Sequence, residues 1–376
     1  MKTPVLLMNK SKIINNYNEI RKAFFDFKVA YAIKANNNTE ILNSLLEENA
    51  YFETASFFEI KKLLSLGVSS NNIIFSNPVK SPEEIYAAVS NNITVFAFDS
   101  IGELEKIYPY KKKINLQFRI EVPNEGSLWP LSGKFGCPEE LWEKVFSYMK
   151  EKEIELSGIT FHVGSQCERL NSWHMAMTTA KKALKLSQKY NLNPNTLNIG
   201  GGFPVYLGRE IPSVNDISKI IYEHLNNWKN EGINITNFYA EPGRFITGDA
   251  GIIVSKIIGI AERKEKKWVF LDTGVFTGMM ETIDGITYPI KSTGKGKKER
   301  VMLCGPTCDS MDKMYEAEIP SPIVGDKIYF LSSGAYTTVY ASNFNGFSIP
   351  EVFLLKNIHE KNFLESIEKD IEISLT

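Results

Sequence analysis

The sequence predicts a (β/α)₈ barrel of the TIM type followed by a β domain. Three observations carry that expectation. Short β-branched or aromatic runs alternate with amphipathic stretches eight times between about residue 10 and residue 250. The unusual polar residues stand at the C-terminal ends of those runs. Beyond residue 250 the helical stretches give way to strand-like runs.

The eight runs are KVAYAIK (28–34), AYFETA (50–55), NIIFSN (72–77), ITVFAFD (93–99), INLQFRI (114–120), LSGITFHVG (156–164), TLNIGGG (196–202) and TNFYAEP (236–242). After the first, NTEILNSLLEE has helical spacing, with Asn37 or Asn38 placed to cap it. After the third, SPEEIYAAVSN opens on Ser81-Pro82 with Glu84 three residues behind the serine, the pattern of a capping box. An open doubly wound sheet also alternates strand and helix, but it gathers special residues near one switch point. Here Lys34, Glu53, Asn77, Asp99, Arg119, His162, Gly200 to Gly202, and Glu241 with Arg244 are spread over the ends of all eight runs. In a closed barrel that end is the functional face. Residues 10–250 are therefore read as the barrel.

Residues 251–376 read as the β domain, from GIIVSKIIGIAER, KKWVFLDTGVF, ERVMLCG, DKIYFLSSGAYTTVYA and FNGF. The N-terminal PVLLMN is expected to join it, so residues 1–9 are counted with this domain. KSTGKGKKER (291–300) reads as an exposed hairpin loop whose charges form a solvated tip.

Composition narrows the function. Lys and Arg total 43 against 44 Asp and Glu, for a net charge of −1. That balance argues against a nucleic-acid or membrane-surface protein, each of which needs a basic excess. No run approaches the roughly 18 apolar residues of a membrane span. The apolar patch in MKTPVLLMNKSK is too short for a secretory signal. Four cysteines cannot frame so long a chain with disulfides, so a cytoplasmic protein with reduced thiols is expected.

Four segments carry chemistry. YAIKAN (31–36) ends an apolar strand with Lys34. A strand-end lysine can simply reach solvent; a Schiff-base lysine with a lowered pKa is the functional alternative. FHVGSQ (161–166) puts His162 at the rim, whereas His174, His224 and His359 fall in helix-like or terminal segments. GGGFP (200–204) lets backbone N–H groups approach an anion, after the strand where barrels commonly bind phosphate. EPGR (241–244) adds an arginine for a phosphate and a carboxylate for a pyridinium nitrogen. Together these residues point to pyridoxal phosphate. No metal is called for.

These segments, with CGPTCDSMD (304–312), SSGAYT and FNGF, resemble in order the fold-type-III pyridoxal-phosphate-dependent decarboxylases of ornithine and diaminopimelate. The likeness covers nearly the whole chain, and WPLSGKFGC (129–137) and GPTCDS bring it nearest the bacterial ornithine or lysine/ornithine branch. It implies an alanine racemase/ornithine decarboxylase-like fold. Lys34 would hold the cofactor covalently, His162 would stack on its ring, and Glu241 would keep the ring nitrogen protonated. Ser165, Gly201, Gly202, Arg244 and Tyr336 would hold the phosphate. The family's dimers share their sites, so Cys308 would protonate the substrate α-carbon in the partner's barrel and Asp309 would bind the distal ammonium there. Asp284 resembles a second ammonium ligand, and Lys134 with Asp312 resembles a pair bridging the subunits. Cys304 is read as core.

The implied reaction is L-ornithine to putrescine and CO₂, a step of polyamine biosynthesis. The substrate alternatives are lysine, diaminopimelate and a specialised diamino acid. A diaminopimelate enzyme would want an arginine nearby for the second carboxylate and a glutamate after the loop cysteine; this chain has Asp309 after that cysteine and few arginines in its β domain. A racemase-like relative would place an arginine opposite the ring nitrogen, where this chain has Glu241. A non-catalytic decoy would lack Lys34 or Cys308, and both are present. The chain departs from the family pattern at Glu53, often aspartate, and in a shorter segment after Asp284 that begins with Gly285.

Overall fold

The computed structural model describes residues 2–130, 133–264 and 266–355. His359, Leu131 and Ser132 of WPLSGKFGC, and the end of the 251–376 range lie outside them. All eight predicted runs form strands, and the strands close into one parallel barrel. In chain order they are Lys28–Ala32, Tyr51–Thr54, Ile73–Phe75, Val95–Phe98, Asn115–Arg119, Gly158–Thr160, Thr196–Asn198 and Asn237–Ala240. Closure comes from the last strand pairing with the first, Tyr239 opposite Lys28 and Ala240 opposite Val29.

Local chemistry starts the connecting helices as expected. Asn38 caps Thr39–Glu47 by accepting from the Glu40 N–H. Ser81 and Glu84 form a reciprocal capping box before Pro82–Ser90. Ser81→Ala should therefore lower stability by about 1 kcal/mol in a denaturant titration, with no change in any ligand-binding signal. Apolar helix faces pack on the strands, and Trp142, Trp173 and Trp228 are fully buried in that layer.

A second sheet is built on the long strand Gly251–Arg263, which pairs antiparallel with Val5–Asn9, Lys266–Leu271 and Lys327–Phe330. Val5–Asn9 also pairs parallel with Glu351–Leu355. The sequence reading missed this last strand and Lys313–Pro320, whose charged residues interrupt the apolar run. FNGF is no strand but a 3₁₀ turn, because Asn345 and Gly346 take left-handed backbones at φ 55° and 80°. Residues 291–300 are no hairpin either. Ile290–Ser292 pairs with Lys327–Phe330, and Lys298–Cys304 pairs with Lys266–Leu271 and Lys313–Pro320. Among the described residues no helix is long and apolar enough to cross a membrane.

Candidate active site

A cavity of about 250 Å³ opens at the C-terminal mouth of the barrel. Its wall includes Lys34, Glu53, His162, Ser165, Glu241 and Tyr336. The strand ends bring these residues together across the whole barrel sequence. Five of the predicted site residues thus meet in one place.

Lys34 lies in the 3₁₀ turn that follows the first strand, and its Nζ is 2.7 Å from Glu53 Oε2. Burial alone would lower its pKa, as the sequence reading expected. The Glu53 carboxylate, helped by Tyr336 and Glu241, outweighs burial and holds the ammonium protonated.

His162 Nδ1 accepts the Gly164 N–H at 2.9 Å, so the ring proton belongs on Nε2. Burial, with Arg119 and Lys34 nearby, holds the imidazole well below its usual pKa. The ring is neutral and presents a flat face suited to stacking on a cationic heteroaromatic. At Gly201 an added Cβ would stand 2.6 Å from the Glu241 carbonyl and 3.1 Å from His162 Nε2. At Gly202 (φ 105°) it would meet the Gly164 carbonyl at 2.5 Å. Glycine is required at both for the loop to pack this closely on the backbone of Gly164 and Glu241. Gln166, itself in a left-handed backbone (φ 54°), fixes this loop by donating to the Val205 carbonyl and accepting its N–H.

Arg244 opens the short helix after the eighth strand and is buried. Its Nη1 donates to Glu281 Oε2 at 2.9 Å and its Nη2 to Glu281 Oε1, and Nη2 also donates to Ser165 Oγ at 3.1 Å. The Tyr336 ring lies 4.8 Å from the guanidinium carbon. Arg244 Nε is buried with no hydrogen-bond partner. An orphaned guanidinium N–H, a serine hydroxyl and a glycine loop that admits no Cβ fit the phosphate of pyridoxal phosphate. Lys34 fits its aldehyde, and Glu241 fits its ring nitrogen.

Cys308, Asp309 and Asp284 do not line this cavity. Cys308 is exposed, and its N–H and Sγ both donate to Asn345 Oδ1, at 3.1 and 3.3 Å. The FNGF turn thus positions the thiol. Asp309 is exposed in the same loop. Asp312 is 4% exposed and its two oxygens accept the Val275 and Thr307 N–H groups, so it braces the loop of its own chain. Lys134, the residue matched with it, sits over the Phe135 ring. Cys304 is buried, as read. In the turn Met280–Asp284, Glu281 and Thr282 are buried while Asp284 is exposed. Arg244 draws Glu281 inward, so Glu281 rather than Asp284 meets the cavity.

Sequence reasoning missed Glu281, Ser76, Asn198, Trp129 and Tyr340. A polar residue inside an apolar run could have flagged Asn198. Glu281 carries no local signal at all.

The fold and site define a pyridoxal-phosphate-dependent barrel decarboxylase. The model of the pyridoxal-dependent decarboxylase pyridoxal-binding domain matches residues 10–248. The chain belongs to the fold-type-III pyridoxal-phosphate-dependent ornithine/lysine decarboxylase family. It is 32% identical over 359 residues to the lysine/ornithine decarboxylase of Selenomonas ruminantium, covering 94% of this chain and 90% of that one. A lysine/ornithine decarboxylase from Vibrio vulnificus, solved with cadaverine, superposes with a TM-score of 0.84 at 30% identity, covering 94% of this chain and 95% of the other. The arginine decarboxylase of Paramecium bursaria Chlorella virus gives a TM-score of 0.86 at 26% identity, covering 94% and 96%.

Proposed function

We propose that the chain decarboxylates a basic amino acid, with L-ornithine giving putrescine and CO₂, in the cytoplasm. The observation that carries this reading is the convergence of Lys34, His162, Ser165 and Glu241 on one cavity at the barrel mouth, with Arg244 hydrogen-bonded to Ser165. The similarity to a Selenomonas lysine/ornithine decarboxylase and to a Vibrio one solved with cadaverine supports the basic substrate. That the four cysteines are free is consistent with a reducing compartment.

Bound pyridoxal phosphate supplies an aldehyde for the amine and a pyridinium ring that accepts the electron pair left by CO₂. This chain's residues do the rest. Lys34 would hold the cofactor through its amine, with the Glu53 carboxylate 2.7 Å away to take the ammonium proton. His162 would stack on the ring and exclude water from that face. Glu241 would hold the proton at the ring nitrogen. Ser165, Gly201, Gly202, Arg244 and Tyr336 would anchor the phosphate.

In this reading residues 10–250 hold the cofactor, and the β domain expected over 1–9 and 251–376 completes the site of a second copy. In that homodimer Cys308 delivers a proton to the substrate α-carbon and Asp309 receives the distal ammonium, with Asp284 as a second acid. The exposure of all three outside their own cavity supports this reading.

The test is CO₂ release by the loaded enzyme from L-ornithine, L-lysine, L-arginine and meso-diaminopimelate. Ornithine, with lysine next, should turn over best. Asp309→Ala should raise KM for ornithine about 10- to 100-fold, the worth of one charge-assisted hydrogen bond. Preference for diaminopimelate would sink the ammonium-pocket reading.

A further inference from the structure

The interior of a parallel barrel is ordinarily packed with branched apolar side chains. Here the layer beneath the cavity is polar. Gln117 from the fifth strand, Asn198 from the seventh and Glu53 from the second are all buried, each 2% exposed or less. Ser76, just beyond the third strand, lines the cavity, as Glu53 does.

Their hydrogen bonds converge on Glu241. The Asn198 amide nitrogen donates to Glu241 Oε1 at 2.7 Å and to Gln117 Oε1 at 2.9 Å. The Ser76 hydroxyl donates to the same Glu241 Oε1. Asn198 Oδ1 accepts the Gly200 N–H at 2.9 Å, which fixes which end of the amide faces the carboxylate. Both amide protons of Asn198 are thus spent on acceptors. Among the described residues no hydrogen bond reaches Glu241 Oε2, although the residue lines the cavity. Gln117 in turn borders a polar cavity at the opposite mouth of the barrel, whose wall includes Lys28, Asn115 and Asn195.

We propose that Ser76 and Asn198 are positioning residues that keep Glu241 ionised and aim its free oxygen at the ring nitrogen. The inference rests on the role given to Glu241 above. Burial and the neighbouring Glu53 both push the Glu241 carboxyl up, and Lys34, Ser76 and Asn198 pull against them. The other ionisable groups on the cavity wall are Arg119, His162, Glu281, Tyr336 and Tyr340. His162 is held neutral. Glu281 is committed to Arg244. Burial pushes the Tyr336 hydroxyl up to about 12, so it too is neutral. Two neutral donors on one oxygen stabilise the anion without adding a cation that would repel a pyridinium. They also leave the second oxygen for the ligand.

The experiment uses the loaded full-length enzyme and two readouts: the pH profile of kcat/KM, and the nitrogen-15 chemical shift of bound cofactor labelled at the ring nitrogen. Glu241→Gln is the reference. Ser76→Ala and Asn198→Leu should each move the acid limb up by about one pH unit, a roughly tenfold loss at a pH on that limb that recovers as pH rises. The ring-nitrogen signal should move over the same range. Asn198→Asp, which replaces a donor with a second carboxylate, should shift the limb further. If Asn198→Leu does not fold, Ser76→Ala alone decides, since it removes one hydroxyl from a cavity wall. A signal that moves in Glu241→Gln but stays put in Ser76→Ala and Asn198→Leu overturns the positioning role. A signal unmoved by Glu241→Gln removes the role of Glu241 itself, and this inference with it.

Discussion

Equal amounts of Lys34→Ala and Cys308→Ala chains, each inactive alone, should recover about a quarter of the wild-type rate after subunit exchange. Random reassortment makes about half the dimers mixed, and each mixed dimer holds one intact site of two. Among the described residues Lys34→Ala removes the one amine on the cavity wall, so its loss alone should exceed about a thousandfold. Cys308→Ala removes a thiol that its own chain holds at the surface, tied to Asn345 and away from the cavity. A thiol held there can serve a cavity only if another chain presents one. Absence of recovery, in a mixture where differently tagged chains co-purify, would end the shared-site reading. Full activity of Cys308→Ala alone would end the thiol's role as donor.

Much of the barrel was legible because its signals are local. Each strand is an apolar run of a few residues, and its functional residue stands directly after it, as Lys34 follows KVAYAI and His162 follows GITF. Ser81 and Glu84 announced their helix for the same reason: three residues separate the two halves of a capping box. What stayed hidden depends on partners far along the chain. Ser76 meets Glu241 across 165 residues, and Asn198 meets it across 43. Nothing in IIFSN or TLNIGGG alone says that their side chains share one carboxylate oxygen. The lysine pKa was misjudged on the same ground, because burial is readable from an apolar strand while a partner carboxylate on the next strand is not. In the β domain, Lys313–Pro320 pairs through backbone groups that its charged side chains disguise.

Glu281→Leu should destabilise the cofactor-free protein by about 3–5 kcal/mol, the cost of stranding one member of a buried ion pair. Arg244 and Glu281 are each 3% exposed at the side chain, and two guanidinium nitrogens bond the two carboxylate oxygens. The Tyr288 hydroxyl donates to Glu281 Oε2 at 3.0 Å, so the same substitution orphans a buried phenol as well. Ser165 Oγ and the Tyr336 ring remain beside the cation but carry no full negative charge. A phosphate dianion bound against Arg244 would restore one. Adding pyridoxal phosphate should therefore raise the melting temperature of Glu281→Leu by more than it raises that of the wild type, even though both start from the same site. Glu281→Gln separates charge from shape: it retains an acceptor for one guanidinium nitrogen and should lose less than the leucine variant. An equal ligand-induced shift in wild type and Glu281→Leu would mean that the phosphate never comes within reach of Arg244. The anchor would then have to be sought among Ser165 and the glycines of the seventh-strand loop.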